Sequence, residues 1–503
     1  MTIARTIQDL LACGSDEAVA IATHGKTPLT YAGFRSLVAE TLATLNRLGI
    51  GRNDRVAIVL PNGPEMATAF VAIASAATSA PLNPSYRTDE FAFYMDDLKA
   101  RALVVEAGST SAAIEAARKL GIAILTLTPA GAAGAFTLSG EPQGIAARPG
   151  AAEPQDIALI LHTSGTTSRP KIVPLTQANV AKSADNIAGA VEFTGADRGL
   201  NVMPLFHIHG LIAGVLAPLS RGGCVFCTPG FDALKFFAAM EESRPTWFTA
   251  VPTMHQAILT RAPRNKEIIE RNPLRFLRSS SSSMPPQVIA ELEATFHAPL
   301  IEAYGMTEAA HQMASNPLHG VRKPGSVGLA AGPEIAIMDE DGKLLGAGET
   351  GEIVIRGENV TFGYENNAKA NAEAFTHGWF RTGDQGVMDA EGYVTLTGRL
   401  KEIINRGGEK ISPREVDEAL MDHPAVLQVV TFAAPHEKLG EDVAAAVVLR
   451  EGHTATEGEL KAFLSTRIAA FKTPRKILFL AEIPKGATGK LQRIGLAQKL
   501  GLT

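Results

Sequence analysis

Five consecutive apolar residues, Ile157 to Leu161, run directly into H-T-S-G-T-T-S-R-P-K-I-V-P-L-T, His162 to Thr176. A short unbroken apolar run closed by turn residues reads as a strand buried on both faces, which requires layers of structure above and below it. The segment that follows is small and hydroxylated, with one glycine, Gly165, and two cations, Arg169 and Lys171. In such a loop successive backbone N–H groups and hydroxyls converge on one anion, and a lysine adds a full charge. The pattern points to phosphate; a polar surface turn has the same composition. No G-x-x-x-x-G-K-[S/T] occurs, so a Walker loop is excluded.

From Leu29 to about Leu98, amphipathic helical patterns alternate with apolar runs such as Val56 to Leu60, and Ala123 to Leu127 is another such run. This alternation predicts a layered α/β fold. Gly131 to Ala151, rich in Gly, Ala and Pro, reads as a connecting loop, and Gly351 to Val394, dense in glycine and β-branched residues, as a β-rich subdomain. Near Gly398 to Lys401 the pattern changes. Ser412-Pro413-Arg414-Glu415 combines a Ser N-cap, Pro in the first turn and Glu three residues on, followed by Val416, Ala419 and Leu420 on one face. Thr456 to Glu459 repeats the capping-box pattern, and Val443 to Leu449 reads as a strand between the two helices. The expected division is a large N-terminal part over residues 1–398, with layered α/β subdomains plus the β-rich one, and a small α+β part over residues 399–503.

A length of 503 residues fits about three folding units. Net charge is −5, so no nucleic-acid footprint is expected. No apolar run reaches the roughly 18 residues of a membrane span. Met1 to Ala20 lacks the apolar core of a signal peptide, and Gly501-Leu502-Thr503 is no peroxisomal address, so a cytoplasmic enzyme is expected. Cys224-Val-Phe-Cys227 has metal-like spacing, but on a strand residues three apart face opposite ways, which makes the pair structural.

Four further segments are ambiguous singly. In Glu302-Ala-Tyr-Gly-Met-Thr-Glu308 an aromatic beside a glycine offers a stacking face, and Thr307 with Glu308 offers oxygens suited to Mg²⁺ on phosphates. Thr382-Gly-Asp384 places a carboxylate on a turn, fit for ribose hydroxyls and equally for capping the turn. Gly398-Arg399-Leu-Lys401-Glu and Pro484-Lys485-Gly-Ala-Thr-Gly-Lys490 set lysines among glycines, as a swinging residue needs and as solvated surface also has.

Together and in this order the segments resemble the adenylate-forming superfamily of acyl-CoA synthetases, carrier-protein adenylation domains and luciferases. The phosphate loop matches T-S-G-T-T-G-x-P-K-G, Tyr304 to Glu308 matches Y-G-x-T-E, and Gly351 to Gly363 matches the family's glycine-rich β segment. Thr382 to Asp384, Gly398 to Glu402 and Gly489-Lys490 match the remaining signatures. The resemblance implies a two-step reaction in which a carboxylate attacks the α-phosphorus of ATP, giving an acyl adenylate and pyrophosphate, and the thiol of coenzyme A then displaces AMP. It implies that Thr163, Ser164, Gly165, Thr166, Thr167 and Lys171 hold the β- and γ-phosphates, and that Glu308 and Thr307 hold Mg²⁺ and the α-phosphate. Tyr304 would pack on adenine, Asp384 and Arg399 would bind the ribose, and Ser282 would belong to the same cofactor-binding set. Lys490 would bridge the acid and the α-phosphate. The small domain would be mobile, rotating at Lys401 to exchange Lys490 for Arg406-Gly407-Gly408, with Gly408 at the pantetheine tunnel.

The acid pocket is expected between Met203–Gly210, Arg278–Met284 and Tyr304–Asn316. Many relatives have a glycine pair and alanine where this chain has Ser280-Ser281-Ser282; with His207, His209 and His311 the serines make a small polar pocket. Thr-Ser-Arg-Pro-Lys, Arg-Ser-x-Ser-x-Ser and Met-Thr-Glu-Ala-x-His-x-Met-Ala-Ser-Asn-Pro resemble oxalate–CoA ligases in particular, in which His207, Ser281 and His311 correspond to positions holding the acid's free carboxylate. One histidine, His207, is equally placed to gate the pantetheine tunnel. Two residues depart from the pattern: Ile172 stands where the family has glycine, and Ser280 where oxalate ligases commonly have cysteine. Malonate or glycolate as the acid, and a kinase-like phosphotransferase, are the competing readings. No carrier segment follows Thr503, which speaks for CoA as the acceptor. Monomer and dimer are both left open.

Overall fold

The computed structural model describes residues 4–163, 170–484 and 492–502. Two large sheets carry the N-terminal part. In the first, seven strands run in the order Phe136–Ser139, Ala123–Pro129, Ala102–Glu106, Arg55–Val59, Thr78–Pro81, Ile157–Thr163, Lys171–Thr176. The second has nine, with Phe276–Ser280 lying between Trp247–Ala250 and Leu300–Met306, and His311–Ser315 turning back antiparallel on Leu300–Met306.

The packing explains the apolar runs. Val56 and Ile58 of the first sheet and Ile21, Val225 and Phe276 of the second point into one shared core. Helix Pro64–Ala74 fills that middle layer, apolar nearly all round because every residue except Glu65, which pairs with Lys26 at the surface, is buried. The opposite face of the first sheet packs with Phe91, Met95 and Ala116 of helices Thr88–Asp97 and Ala112–Leu120. The outer face of the second packs with helices Phe236–Ser243 and Pro286–Phe296. Helix layers and sheets thus alternate, the α/β architecture expected of strands buried on both faces. Cys224 enters the outer cluster and Cys227 the inner one, on opposite faces of one strand.

A five-stranded antiparallel sheet follows, in which Asp384 of Trp379–Met388 faces Arg399 of Val394–Arg399. The strands from Ile404 onward make a separate five-stranded sheet, with helices Pro413–Met421 and Glu457–Ser465 packed on it. Among the described residues no helix is long and apolar enough to cross a membrane.

Two local expectations are corrected. The stretch Gly131–Ala151 is not all loop, since Phe136–Ser139 pairs antiparallel with Ala123–Pro129 and closes the sheet edge. Ser412 does begin its helix, but its hydroxyl donates to the Thr397 carbonyl instead of capping, and Glu415 pairs with Lys472. The Thr456–Glu459 capping box forms as read.

Candidate active site

The strand Ile157–Thr163, which leads into the expected phosphate loop, and its return Lys171–Thr176 form an antiparallel pair in which Thr163 faces Lys171. Ser164, Gly165, Thr166 and Thr167 lie outside the described residues, as does Lys490. Ile172 faces His162 within the pair, and its side chain is buried on the outer helical face. Its backbone is extended there, so the β-branched residue meets no need for positive φ at this position.

Segment 359–365 stitches this hairpin to the turn that carries Glu308. The Thr361 amide donates to the Glu308 carbonyl, Asn359 donates to the carbonyls of Ala309 and Gln312, and the Glu365 amide donates to the Ile172 carbonyl. Between them stands Tyr364. Its hydroxyl donates to Glu308 Oε1 at 2.8 Å, and Lys171 Nζ sits 4.1 Å from its ring centre. Burial raises the Glu308 carboxyl above its ordinary range, against the opposing pull of the Tyr364 hydroxyl and the Lys171 charge. Thr307 begins the short 3₁₀ turn that holds Glu308. Sequence reasoning passed over Tyr364, although it directly follows the glycine-rich segment ending at Gly363.

Tyr304, Asp384 and Arg399 are brought together. The Tyr304 hydroxyl donates to Asp384 Oδ2 at 2.5 Å and Arg399 Nε lies 3.1 Å from Oδ1. Burial, then the Asp384 charge, push the Tyr304 phenol well up, so it stays a donor. These three, with Ser281 and Ser282, line a cavity of about 350 Å³ that Arg414, Asp417 and Arg493 of the C-terminal part also face. Glu302 lies in the same wall, its carboxyl pushed up to about 7 by burial.

His209 and His311 lie one layer behind Ser281, both buried and stacked with ring centres 4.9 Å apart. His209 Nδ1 is 3.1 Å from Ser281 Oγ and its Nε2 is 2.7 Å from Thr249 Oγ1. Arg278, wholly buried, reaches both rings from beneath. His209 opens an unusual π-helix, His209–Leu216, that apolar periodicity did not announce. Half-buried His207 rests on Phe206. Ser280 does not line the cavity with its hydroxyl, which donates to the Ala303 carbonyl; Ser282 is exposed and donates to the Ser281 carbonyl. Ser281, Ala310 and His311 hold φ of 77°, 46° and 105°, a strained region for L-residues.

Lys401 is exposed in a turn after Arg399, where the amides of Glu402 and Ile403 both donate to the Arg399 carbonyl. Glu402 pairs with Arg493, which also pairs with Asp417. The Gly407–Gly408 turn, at φ of 60° and 102°, joins two strands of the last sheet, and Arg406 Nε donates to Asp442. It does not line the cavity.

Comparison with known proteins places this geometry. The AMP-binding enzyme family matches residues 12–365, and the AMP-binding enzyme C-terminal domain matches residues 415–490. The chain is 46% identical to an oxalate–CoA ligase of Arabidopsis thaliana over 95% of each chain. It is 35% identical to a sulfoacetate–CoA ligase of Cupriavidus necator over 91% of each. The crystal structure of ATP-bound MatB from Rhodopseudomonas palustris superposes with a TM-score of 0.88 at 29% identity over 98% of both chains. With phosphate strand, buried glutamate and Tyr–Asp–Arg cluster in one fold, the chain belongs to the AMP-binding enzyme family and is an AMP-forming acid–CoA ligase of the adenylate-forming superfamily, close to the oxalate–CoA ligases.

Proposed function

We propose that the acid is oxalate. One oxalate carboxylate attacks the α-phosphorus of ATP, the bond to the β-phosphate oxygen breaks, and oxalyl adenylate and pyrophosphate form. The thiol of CoA then attacks the acyl carbon, loses its proton and expels AMP. The observation carrying this reading is the Ser281 hydroxyl in the cavity wall, backed by a buried polar layer of His209, His311 and Arg278. An aliphatic tail against it would leave donors unpaired, at about 1–3 kcal/mol each. The names of the two relatives support the same class of substrate, because oxalate and sulfoacetate are both short acids with a second anionic end.

In this reading Thr163 to Thr167 and Lys171 hold the terminal phosphates, Tyr304 packs on the adenine, and Asp384 with Arg399 takes the ribose hydroxyls. Glu308 and Thr307 suit Mg²⁺. The donor set is a buried carboxylate and a hydroxyl, and no cluster of three or more ligating side chains lies among the described residues. That fits an ion held chiefly by phosphates and water. Mg²⁺ would neutralise phosphate charge; Tyr364, through its bond to Glu308 Oε1, keeps the carboxylate turned toward that position. Rotation at Lys401 would exchange Lys490 for the Gly408 turn between the two steps.

The test is release of AMP and pyrophosphate with CoA and Mg²⁺ over a panel of acids: oxalate, malonate, glycolate, sulfoacetate, acetate and butyrate. Oxalate is expected to lead. Sustained ADP production, or no preference for oxalate over butyrate, overturns the proposal. Within the same panel, His311→Ala is expected to lower kcat/KM for oxalate roughly ten- to hundredfold through loss of one charge-assisted hydrogen bond, while acetate use changes little. An equal fall for oxalate, glycolate and acetate would assign His311 to support of Glu308 instead.

A further inference from the structure

Arg278 lies on the central strand Phe276–Ser280 with no exposed surface. A buried guanidinium is normally paired with a carboxylate, because removing the charge from water costs several kcal/mol. Here burial alone acts on it, pulling its pKa down to about 9 and leaving it charged at neutral pH. Among the described residues no carboxylate charge acts on it, and segments 164–169 and 485–491 contain no Asp or Glu. Its neighbours are two imidazoles, a hydroxyl and an amide: Nη1 lies 3.4 Å from His209 Nε2 and 3.5 Å from Thr249 Oγ1, and Nη2 lies 3.3 Å from His311 Nε2 and 3.1 Å from Gln312 Oε1. Nε has no partner among the described residues.

A guanidinium only donates, so an Nε2 bonded to it accepts and carries its ring proton on Nδ1; the Thr249 hydroxyl, 2.7 Å from His209 Nε2, then donates to that same nitrogen. For His209 that Nδ1–H then donates to Ser281 Oγ, leaving the Ser281 hydroxyl proton for the cavity.

We infer that Arg278 is a positioning residue for the acid: it clamps His209 and His311 in their Nδ1–H forms and sets one buried positive charge behind the pocket wall, selecting acids that bring a second carboxylate. This rests on the proposed oxalate reading for the substrate and on hydrogen-bond geometry for the clamp. The charge that the free protein leaves uncompensated is balanced by the remote carboxylate when the acid binds.

The experiment uses the full chain with ATP, Mg²⁺ and CoA, in Arg278→Met and Arg278→Lys forms, together with nitrogen NMR of protein labelled in histidine. Methionine fills the volume without charge, a replacement that buried ion sites often tolerate; lysine keeps the charge but not the fork. In Arg278→Met the oxalate KM is expected to rise roughly ten- to hundredfold, with the ATP KM and acetate kcat/KM within about threefold, and two histidines are expected to leave the Nδ1–H form. Arg278→Lys should recover part of the oxalate KM. Unchanged tautomers in Arg278→Met, or equal losses for oxalate and acetate, overturn the inference. Should the unaltered protein prefer a monocarboxylic acid, the oxalate reading fails with the selection of dicarboxylates, and the tautomers still decide the clamp.

Discussion

Replacing Lys490 by alanine is expected to lower acyl-adenylate formation by roughly 10²–10³, while thioester formation from supplied oxalyl adenylate continues near its original rate. The attacked phosphorus gains negative charge as it becomes five-coordinate, and an ammonium held against it stabilises that state more than the ground state. Thioester formation instead develops its charge on the carbonyl oxygen as the thiol adds to the acyl carbon, and needs a different partner. Pyrophosphate release and CoA-thioester formation, measured separately, show the split. Lys401→Pro should give the reverse: proline fixes φ where the chain has to turn, so adenylate accumulates and transfer stalls. Equal loss of both half-reactions in the Lys490 variant would mean that the lysine acts in one static arrangement.

Gly305→Ala is expected to abolish acid activation and to destabilise the protein by about 3 kcal/mol or more. A Cβ at Gly305 would lie 1.7 Å from the His311 carbonyl oxygen and 2.6 Å from its carbon. The crowding follows from the pairing, because the register of Leu300–Met306 against His311–Ser315 shifts between Tyr304 and Gly305 and draws the two backbones together. The contact is backbone, so it yields only if His311 moves, and His311 stacks on His209. Thermal unfolding and pyrophosphate release check both parts. Gly189→Ala is the control: it sits in helix Gln177–Ala190 with open space at its Cβ, and should be neutral or slightly stabilising. A Gly305→Ala protein with ordinary Tm would contradict the packing described.

The layered fold was legible because burial on both faces leaves an apolar run that few other structures explain, as at Val56–Leu60 and Ile157–Leu161. The meeting of Tyr304, Asp384 and Arg399 was legible through short motifs whose order survives along the chain. Other features were hidden for physical reasons. After its first residue, His209, the π-helix His209–Leu216 is apolar, and a run with no polar face carries no period. Ser412 has every local mark of a cap, yet its hydroxyl donates its hydrogen bond to the carbonyl of Thr397, fifteen residues away. Tyr364 acts on Glu308 from 56 residues off, a distance no local pattern spans. Arg278 did leave a trace: an arginine directly after Phe276-Leu277 in a strand-like run is out of place unless something buried needs it.

The three L-residues at positive φ around the proposed acid pocket bear on how its specificity can change by descent. Each conformation costs about 1–2 kcal/mol and persists only while its neighbours hold it, and here the neighbours are one another's supports: Asn359 ties Ala309 and Gln312 on either side of Ala310 and His311, and His209 ties Ser281 to the ring of His311. A substitution that lets one residue relax withdraws support from the next. Acid choice in the proposed pocket is therefore expected to change as a block, residues 278–284 together with 304–316, with single replacements inside it costing the old acid before they accommodate a new one.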